Sequence, residues 1–431
     1  MTDSTPIYNL KAVIRETGLS PEILRAWERR YGLVKPQRSP GGHRLYSQYD
    51  IDMLKWLVAR QKEGLSISRA VEMWRGLVKD GQDPLQQFHT PLQTLDAGGS
   101  MLDDLRNGWI AACLAFDEQA AERALSQAFA IVAPEIACTE VIQKGLAEIG
   151  ERWYQGAISV QQEHFASSLA MHRISALFVA APPPTRAERI LAACPPGEEH
   201  DFVLLLAAFL LRRRGWDVVY LGANVPLSRL AETIQLTLPR LVLSVALTLN
   251  SAAALREMAD YVNARGVPLA YGGGIFNAYP ALTERINGYY LGSEISSLPQ
   301  VVEGLLMRQP ALSTVSSISP EYTQALAKFV EKEVIIVASV TQAMQLEQLE
   351  PAHLENANLH FSRNIVAALA LGEIDALDLS VSWLEGLLGN YGMSPLLAVR
   401  YFNVYRQAVQ QHLGSHEGAL LLDWFLKFLD R

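Results

Sequence analysis

One histidine in this chain stands where a metal ligand would need to stand. The run Arg189-Ile190-Leu191-Ala192-Ala193-Cys194 is apolar enough for a buried strand, and His200 follows it at the start of a helical stretch, HDFVLLLAAFLLRRRG. In an open α/β sheet, ligands bind outside the carboxyl ends of the strands. Glu198, two residues earlier, can accept a hydrogen bond from one imidazole nitrogen and leave the other, made more basic, for a metal. Alone, a histidine at a helix start is more often a cap or an exposed residue. Two further features narrow the reading. Ser244 ends the buried run LVLS, and Gly272-Gly273-Gly274 follows the strand PLAY. Small residues at neighbouring strand ends leave a slot beside His200.

A second constellation lies earlier. The stretch GLAEIGERW ends a helix at Trp153, with Gly156 beyond it as a C-terminal cap. Ser159 and Gln162 form a capping box for the next helix, whose first turns carry Glu163 and His164. A large ring, a carboxylate and an imidazole then meet across one tight loop. They can cover a bulky group, with the carboxylate free to accept hydrogen bonds from its hydroxyls. The plain alternative is a core tryptophan and a solvated Glu-His pair.

A third set is basic. LKAVIRETGLSPEILRAWERRYGL reads helix, turn, helix, with Leu10, Val13 and Ile14 on one face and Gly18 in the turn. Ser20 caps the second helix ahead of Pro21. Ile23, Leu24, Trp27 and Tyr31 are expected to point inward, and Arg25 and Arg29 outward with Glu22 and Glu28 nearby; Arg30 adds a third guanidinium. Such a helix suits the major groove, where arginine pairs with guanine edges or bridges phosphates. The following segment carries Arg38, His43, Arg44 and Tyr46 around Gly41-Gly42, which permits a hairpin. Arg44 and Tyr46 alternate to one face of its second arm, as in a wing lying along phosphates. His43 reads as a phosphate neighbour, since no partner ligand stands at metal spacing.

These residues need elements to hold them, and the chain divides accordingly. Residues 1–79 carry 14 Lys/Arg and 8 Asp/Glu, whereas the remainder carries 23 and 37, for a net −8 overall. A basic head on an acidic body points to a polyanion partner for the head alone. Residues 80–100, rich in Gln, Gly and Pro, read as a linker. Residues 101–183 hold four amphipathic stretches and are expected to form a four-helix bundle, closed by the helix-breaking APPPT at 181–185. Residues 186–310 alternate short apolar runs with helical ones, which implies a doubly wound parallel sheet. Residues 320–431 are again helical, with Trp383, Tyr391, Tyr401, Tyr405, Trp424 and Phe425 at spacings expected of core. Cys113, Cys138 and Cys194 form neither a disulfide framework nor a zinc pattern and fit a reducing cytoplasm. No secretory signal and no membrane span is expected.

The head resembles the MerR family over residues 7–77, carrying Arg25-Ala26-Trp27-Glu28-Arg29-Arg30-Tyr31-Gly32-Leu33 and Gly42-His43-Arg44-Leu45-Tyr46. The later segments, with the spacing W-x(9)-E-H and the Glu198-x-His200 loop, resemble the CarH/CarA/LitR group of cobalamin-dependent MerR repressors. The resemblance implies a regulator of double-stranded DNA operators, not an enzyme. The α/β domain would be the flavodoxin-like cobalamin-binding type. His200 would be the cobalt ligand, Ser244, Gly272 and Gly273 would line the slot for the base tail, and Trp153, Glu163 and His164 would cover the adenosyl group of adenosylcobalamin. It also implies light sensing, with a homo-oligomer, dimer or tetramer, assembled through the sensor because the linker replaces the coiled coil usual after a MerR head. Three departures stand out. Glu198 and Val203 replace the aspartate and the glycine of the family's Asp-x-His-x-x-Gly, and Tyr154 stands where light-sensing members often carry a histidine. The alternatives are a light-independent MerR regulator and a corrinoid methyl-carrier protein.

Overall fold

The computed structural model describes residues 8–17, 19–32, 34, 36–38, 44–62, 67–79, 98–308, 315–345, 351–381 and 395–429. Two compact units divide near residue 100.

In the first unit, β1 (Tyr8–Asn9), β2 (Gln37–Arg38) and β3 (Arg44–Tyr46) form an antiparallel sheet in the order β1-β3-β2. Helices Leu10–Thr17 and Pro21–Tyr31 make the helix-turn-helix, and Gln48–Lys62 and Ile67–Lys79 complete the unit. Ser20 caps the second helix as expected, its hydroxyl accepting from the Ile23 N–H at 3.4 Å. Val13, Leu24, Tyr46, Leu54, Trp56 and Trp74 fill one core. Ile23, expected inward, is instead 45% exposed. Leu24, Trp27 and Tyr31 follow the i, i+3, i+7 stripe, and Ile23 lies at its edge, about 100° around the axis from Leu24.

The second unit is built on a five-stranded parallel sheet. Its strands are β4 (Arg189–Ala193), β5 (Asp217–Gly222), β6 (Leu241–Val245), β7 (Leu269–Gly272) and β8 (Tyr289–Tyr290), in the order β5-β4-β6-β7-β8. Side chains alternate across a strand, and here the alternation feeds two separate cores. Ile190, Ala192, Leu241 and Leu243 face one core; Leu191, Ala193 and Val242 face the other.

The first of these cores is shared with the bundle: helices Gly98–Leu114 and Glu118–Ile131, a continuous helical segment over Pro134–Tyr154, and Val160–Val179. The helix Phe202–Arg213 lies between sheet and bundle, so Leu204 through Leu211 are all buried. A helix apolar on all sides is stable in water only when so enclosed. Arg212 fastens it, donating to the Phe178 carbonyl at 3.2 Å and the Val218 carbonyl at 2.9 Å, with its guanidinium 3.6 Å from the Phe178 ring.

The second core is shared with the C-terminal helices Pro320–Met344, Pro351–Leu371, Pro395–Glu417 and Ala419–Leu429. Five aromatic rings, Tyr401, Phe402, Tyr405, Trp424 and Phe425, surround Phe361 at centroid distances of 4.9 to 6.1 Å. Trp383 and Tyr391 lie outside the described residues. The described helices of residues 320–431 therefore pack over the second face of the sheet. Arg256 donates to the Ala370 carbonyl, and Arg285 pairs with Glu373 at 2.8 Å. Residues 80–97 of the expected linker lie outside the described residues, and a helix begins at Gly98. Among the described residues no helix is long and apolar enough to cross a membrane.

Candidate functional site

β4, β6 and β7 end on the same side of the sheet, and Glu198, His200, Ser244, Gly272 and Gly273 stand at those ends. Glu198 is buried, its side chain 1% exposed, while that of His200 is 71% exposed. Glu198 Oε1 accepts from His200 Nδ1 and from the His200 backbone N–H, both at 3.0 Å. Its Oε2 accepts from the Leu247 N–H at 2.8 Å and the Ser251 hydroxyl at 2.6 Å. Burial alone would raise this carboxyl, but the hydrogen bonds from His200, Ser251 and Leu247 outweigh it and hold the group below its ordinary value. The hydrogen bond to Glu198 in turn raises the His200 imidazole, against the effect of desolvation. The buried anion thus fixes the Nδ1–H tautomer and directs Nε2 away from the protein, as a metal-binding histidine requires.

The loop is tied down around this pair. Asn224 donates to Glu199 at 2.8 Å and accepts from the Gly197 N–H at 2.9 Å, and the Tyr220 hydroxyl donates to Asp201 at 2.7 Å. Tyr220 packs edge-on against Phe178 of the last bundle helix, with centroids 5.7 Å apart.

A cavity of about 220 Å³ opens beside the strand ends, with Val203, Ser244, Gly272, Gly273 and Leu298 in its wall. Ser244 is spoken for on one side, its hydroxyl donating to the Ala193 carbonyl at 2.7 Å. The two glycines act differently. A Cβ on Gly272 would enter open space, so its absence widens the cavity; a Cβ on Gly273, at φ 127°, would strike the Ala246 carbonyl. Val203 takes part of the room that the family's glycine would leave.

The expected capping box is present: the Ser159 hydroxyl accepts from the Gln162 N–H at 3.3 Å, and Gln162 Oε1 accepts from the Ser159 N–H at 2.9 Å. Gly156, at φ 70°, turns the chain between the two helices. Glu163 accepts from the Ser167 hydroxyl at 2.5 Å and pairs with His164 Nδ1 at 2.8 Å. The His164 side chain is 75% exposed, and Trp153 is half-buried. The Glu163 charge also contributes to raising the His200 imidazole.

In the first unit Arg25, Arg29 and Arg30 are exposed along the Pro21–Tyr31 helix. Tyr46 is not a surface contact: it is fully buried, and its hydroxyl donates to Glu28 at 2.6 Å. Arg44 meets the same carboxylate at 3.4 Å. Arg44 and Tyr46 share a strand face, as a period of two requires, but that face turns onto the helix. Glu28, expected near the outward face, is the 9%-exposed acceptor beneath it. Arg38 contributes its backbone to β2, paired with Arg44; its side chain, together with His43, Gly41 and Gly42, lies outside what is described.

Sequence reasoning missed Ser251 and the Leu247 N–H. The only local signal was the pair Thr248 and Ser251, which form a helix capping box; nothing local pointed from there to a carboxylate 53 residues earlier. With no hydrogen bond to Nε2 among the described residues, a buried anion behind Nδ1 and a cavity at the adjoining strand ends, the residues present suit a corrinoid held through an imidazole.

Residues 8–77 match the MerR HTH family regulatory protein description, and residues 105–177 and 188–301 each match a B12 binding domain. The HTH-type transcriptional repressor CarH of Myxococcus xanthus is 32% identical over 289 residues, covering 65% of this chain and 93% of the relative. CarA of the same organism is 32% identical over 254 residues, covering 58% and 79%. The monomethylamine corrinoid protein of Methanosarcina barkeri superposes with a TM-score of 0.41 at 17% identity, covering 48% of this chain and 98% of that one. With its DNA-reading head and both B12-binding segments matched in that order, the chain belongs to the family of B12-binding MerR transcriptional regulators that includes CarH and CarA.

Proposed function

We propose that the chain is a cytoplasmic repressor that senses adenosylcobalamin and, through it, light. The observation that carries this reading is the His200 imidazole, held at Nδ1 by the buried Glu198 with Nε2 open above the loop. His200 would hold the cobalt, Ser244, Gly272 and Gly273 would receive the base tail, and Trp153, Glu163 and His164 would close over the adenosyl group. Bound adenosylcobalamin supplies a cobalt–carbon bond that visible light breaks.

The protein's part is to convert that event into a change of DNA affinity. Trp153, Glu163 and His164 would lie against the adenosyl group of the bound cofactor and would couple its presence to the position of the bundle. Two DNA heads tethered through one oligomer gain affinity by effective concentration, and separated heads lose it. Light should therefore weaken operator binding by dissolving the oligomer while each head keeps its own contacts. The test compares oligomer mass and operator affinity of the adenosylcobalamin-loaded full chain, dark against illuminated. Lower mass and weaker binding after photolysis are expected; unchanged mass and affinity would leave a light-independent regulator. Tyr154 places a phenol where light-sensing relatives often carry a second imidazole, which bears on the state after photolysis and not on the loss of the upper group itself.

A further inference from the structure

The bundle reaches the cavity through one described residue, Gln143. Gln143 ends a six-residue π-helical turn, Cys138–Gln143, inside the Pro134–Tyr154 segment. Its side chain lines the same cavity as Val203, Ser244, Gly272 and Leu298, and it is the bundle's one contribution to that lining among the described residues. A π-turn inserts an extra residue, is rare, and occurs often at functional sites. Here Val141 and Ile142 remain fully buried in the bundle core while the next residue faces the cavity. Thr139 steadies the widened turn by donating its hydroxyl to the Glu135 and Ile136 carbonyls at 3.1 and 3.2 Å.

The Gln143 amide makes no side-chain hydrogen bond among the described residues. Its polar neighbours in the wall are partly committed: the Ser244 hydroxyl donates to Ala193, and Asn277 Oδ1 accepts from the Tyr290 hydroxyl at 2.6 Å. Much of the remaining wall is apolar, with Leu204, Ala207 and Leu298. Such a wall suits a flat base, and an amide in it suits the polar chain that carries the base.

We propose that Gln143 is a cofactor-contacting residue whose amide hydrogen-bonds the ribose-and-linker portion of the corrinoid's nucleotide tail. The inference rests on the assignment of this cavity to the tail. It gives the bundle a hold on both sides of the cofactor, since Gln143 and Trp153 stand ten residues apart on one helical segment, about 15 Å along its axis.

The test uses two ligands with the same upper group, adenosylcobalamin and adenosylcobinamide, which lacks the nucleotide tail. The full chain, Gln143→Leu and Gln143→Met are titrated with each in the dark and followed by visible absorbance, with far-UV circular dichroism to check folding. Removing one hydrogen bond should weaken adenosylcobalamin binding about three- to tenfold and leave adenosylcobinamide binding at the wild-type value. Equal losses for both ligands in the folded variants would make Gln143 a bundle-packing or ring contact, and no loss for either would leave it without a role; both overturn the inference. Wild-type protein that binds adenosylcobinamide as tightly as adenosylcobalamin would instead remove the tail from the cavity, overturning the site assignment itself.

Discussion

Glu198 makes His200 more than an exposed histidine on a loop. Four donors converge on one buried carboxylate, and two of them come from His200 itself. His200→Ala should abolish the spectrum of imidazole-ligated cobalt and severely weaken corrinoid binding; a variant with wild-type affinity and spectrum would refute the assignment. Glu198→Gln keeps the shape but loses the charge that orients the ring. Outer-shell changes of this kind typically weaken metal binding by about 10- to 100-fold. A titration of Glu198→Gln by visible absorbance should fall in that range, and wild-type affinity would show the anion to be dispensable.

In the Pro21–Tyr31 helix and β3, the residues that lock the fold and those that face solvent are different ones. Tyr46, Glu28 and Arg44 lock β3 to the Pro21–Tyr31 helix, whereas Arg25 and Arg29 face solvent. Tyr46→Phe removes a donor to a buried charged acceptor and should destabilise the head by about 1.5–3 kcal/mol. Arg25→Ala or Arg29→Ala should weaken operator binding with little change in melting temperature. A contact that only neutralises phosphate should also lower the slope of binding against salt by about one. Thermal melts and salt-dependent DNA titrations of the same variants check both. A Tyr46→Phe head that melts like wild type but loses DNA would return Tyr46 to the interface.

For the second unit as a whole, one sheet serves two cores. The C-terminal helices cover Leu255, Met258 and Ala259 of the Leu249–Asn263 helix and share their apolar cluster. Ending the chain near residue 313 would expose that face, and exposed apolar patches of this kind drive aggregation. Such a truncation should be poorly soluble or lose cooperative unfolding, read by sedimentation and thermal circular dichroism. A soluble fragment that melts cooperatively and binds corrinoid would show that the helices are an addition and not part of the fold.

What the sequence determined by itself was local. Apolar runs of four to six residues, helical periodicity, the Ser20 cap and the Ser159–Gln162 capping box depend on contacts within a few residues, so pattern alone reveals them. The Glu198-x-His200 pair was legible for the same reason, since both partners sit on one loop. Alternation along β3 put Arg44 and Tyr46 on a common face, but only packing against the Pro21–Tyr31 helix decided that the face turns inward. Tertiary structure likewise brought Ser251 to a carboxylate 53 residues earlier and placed the C-terminal aromatics against the sheet. It also widened one helical turn so that Gln143 reaches the cavity. These arrangements depend on which surfaces meet after distant segments pack, and the spacing of residues along the chain carries no record of that.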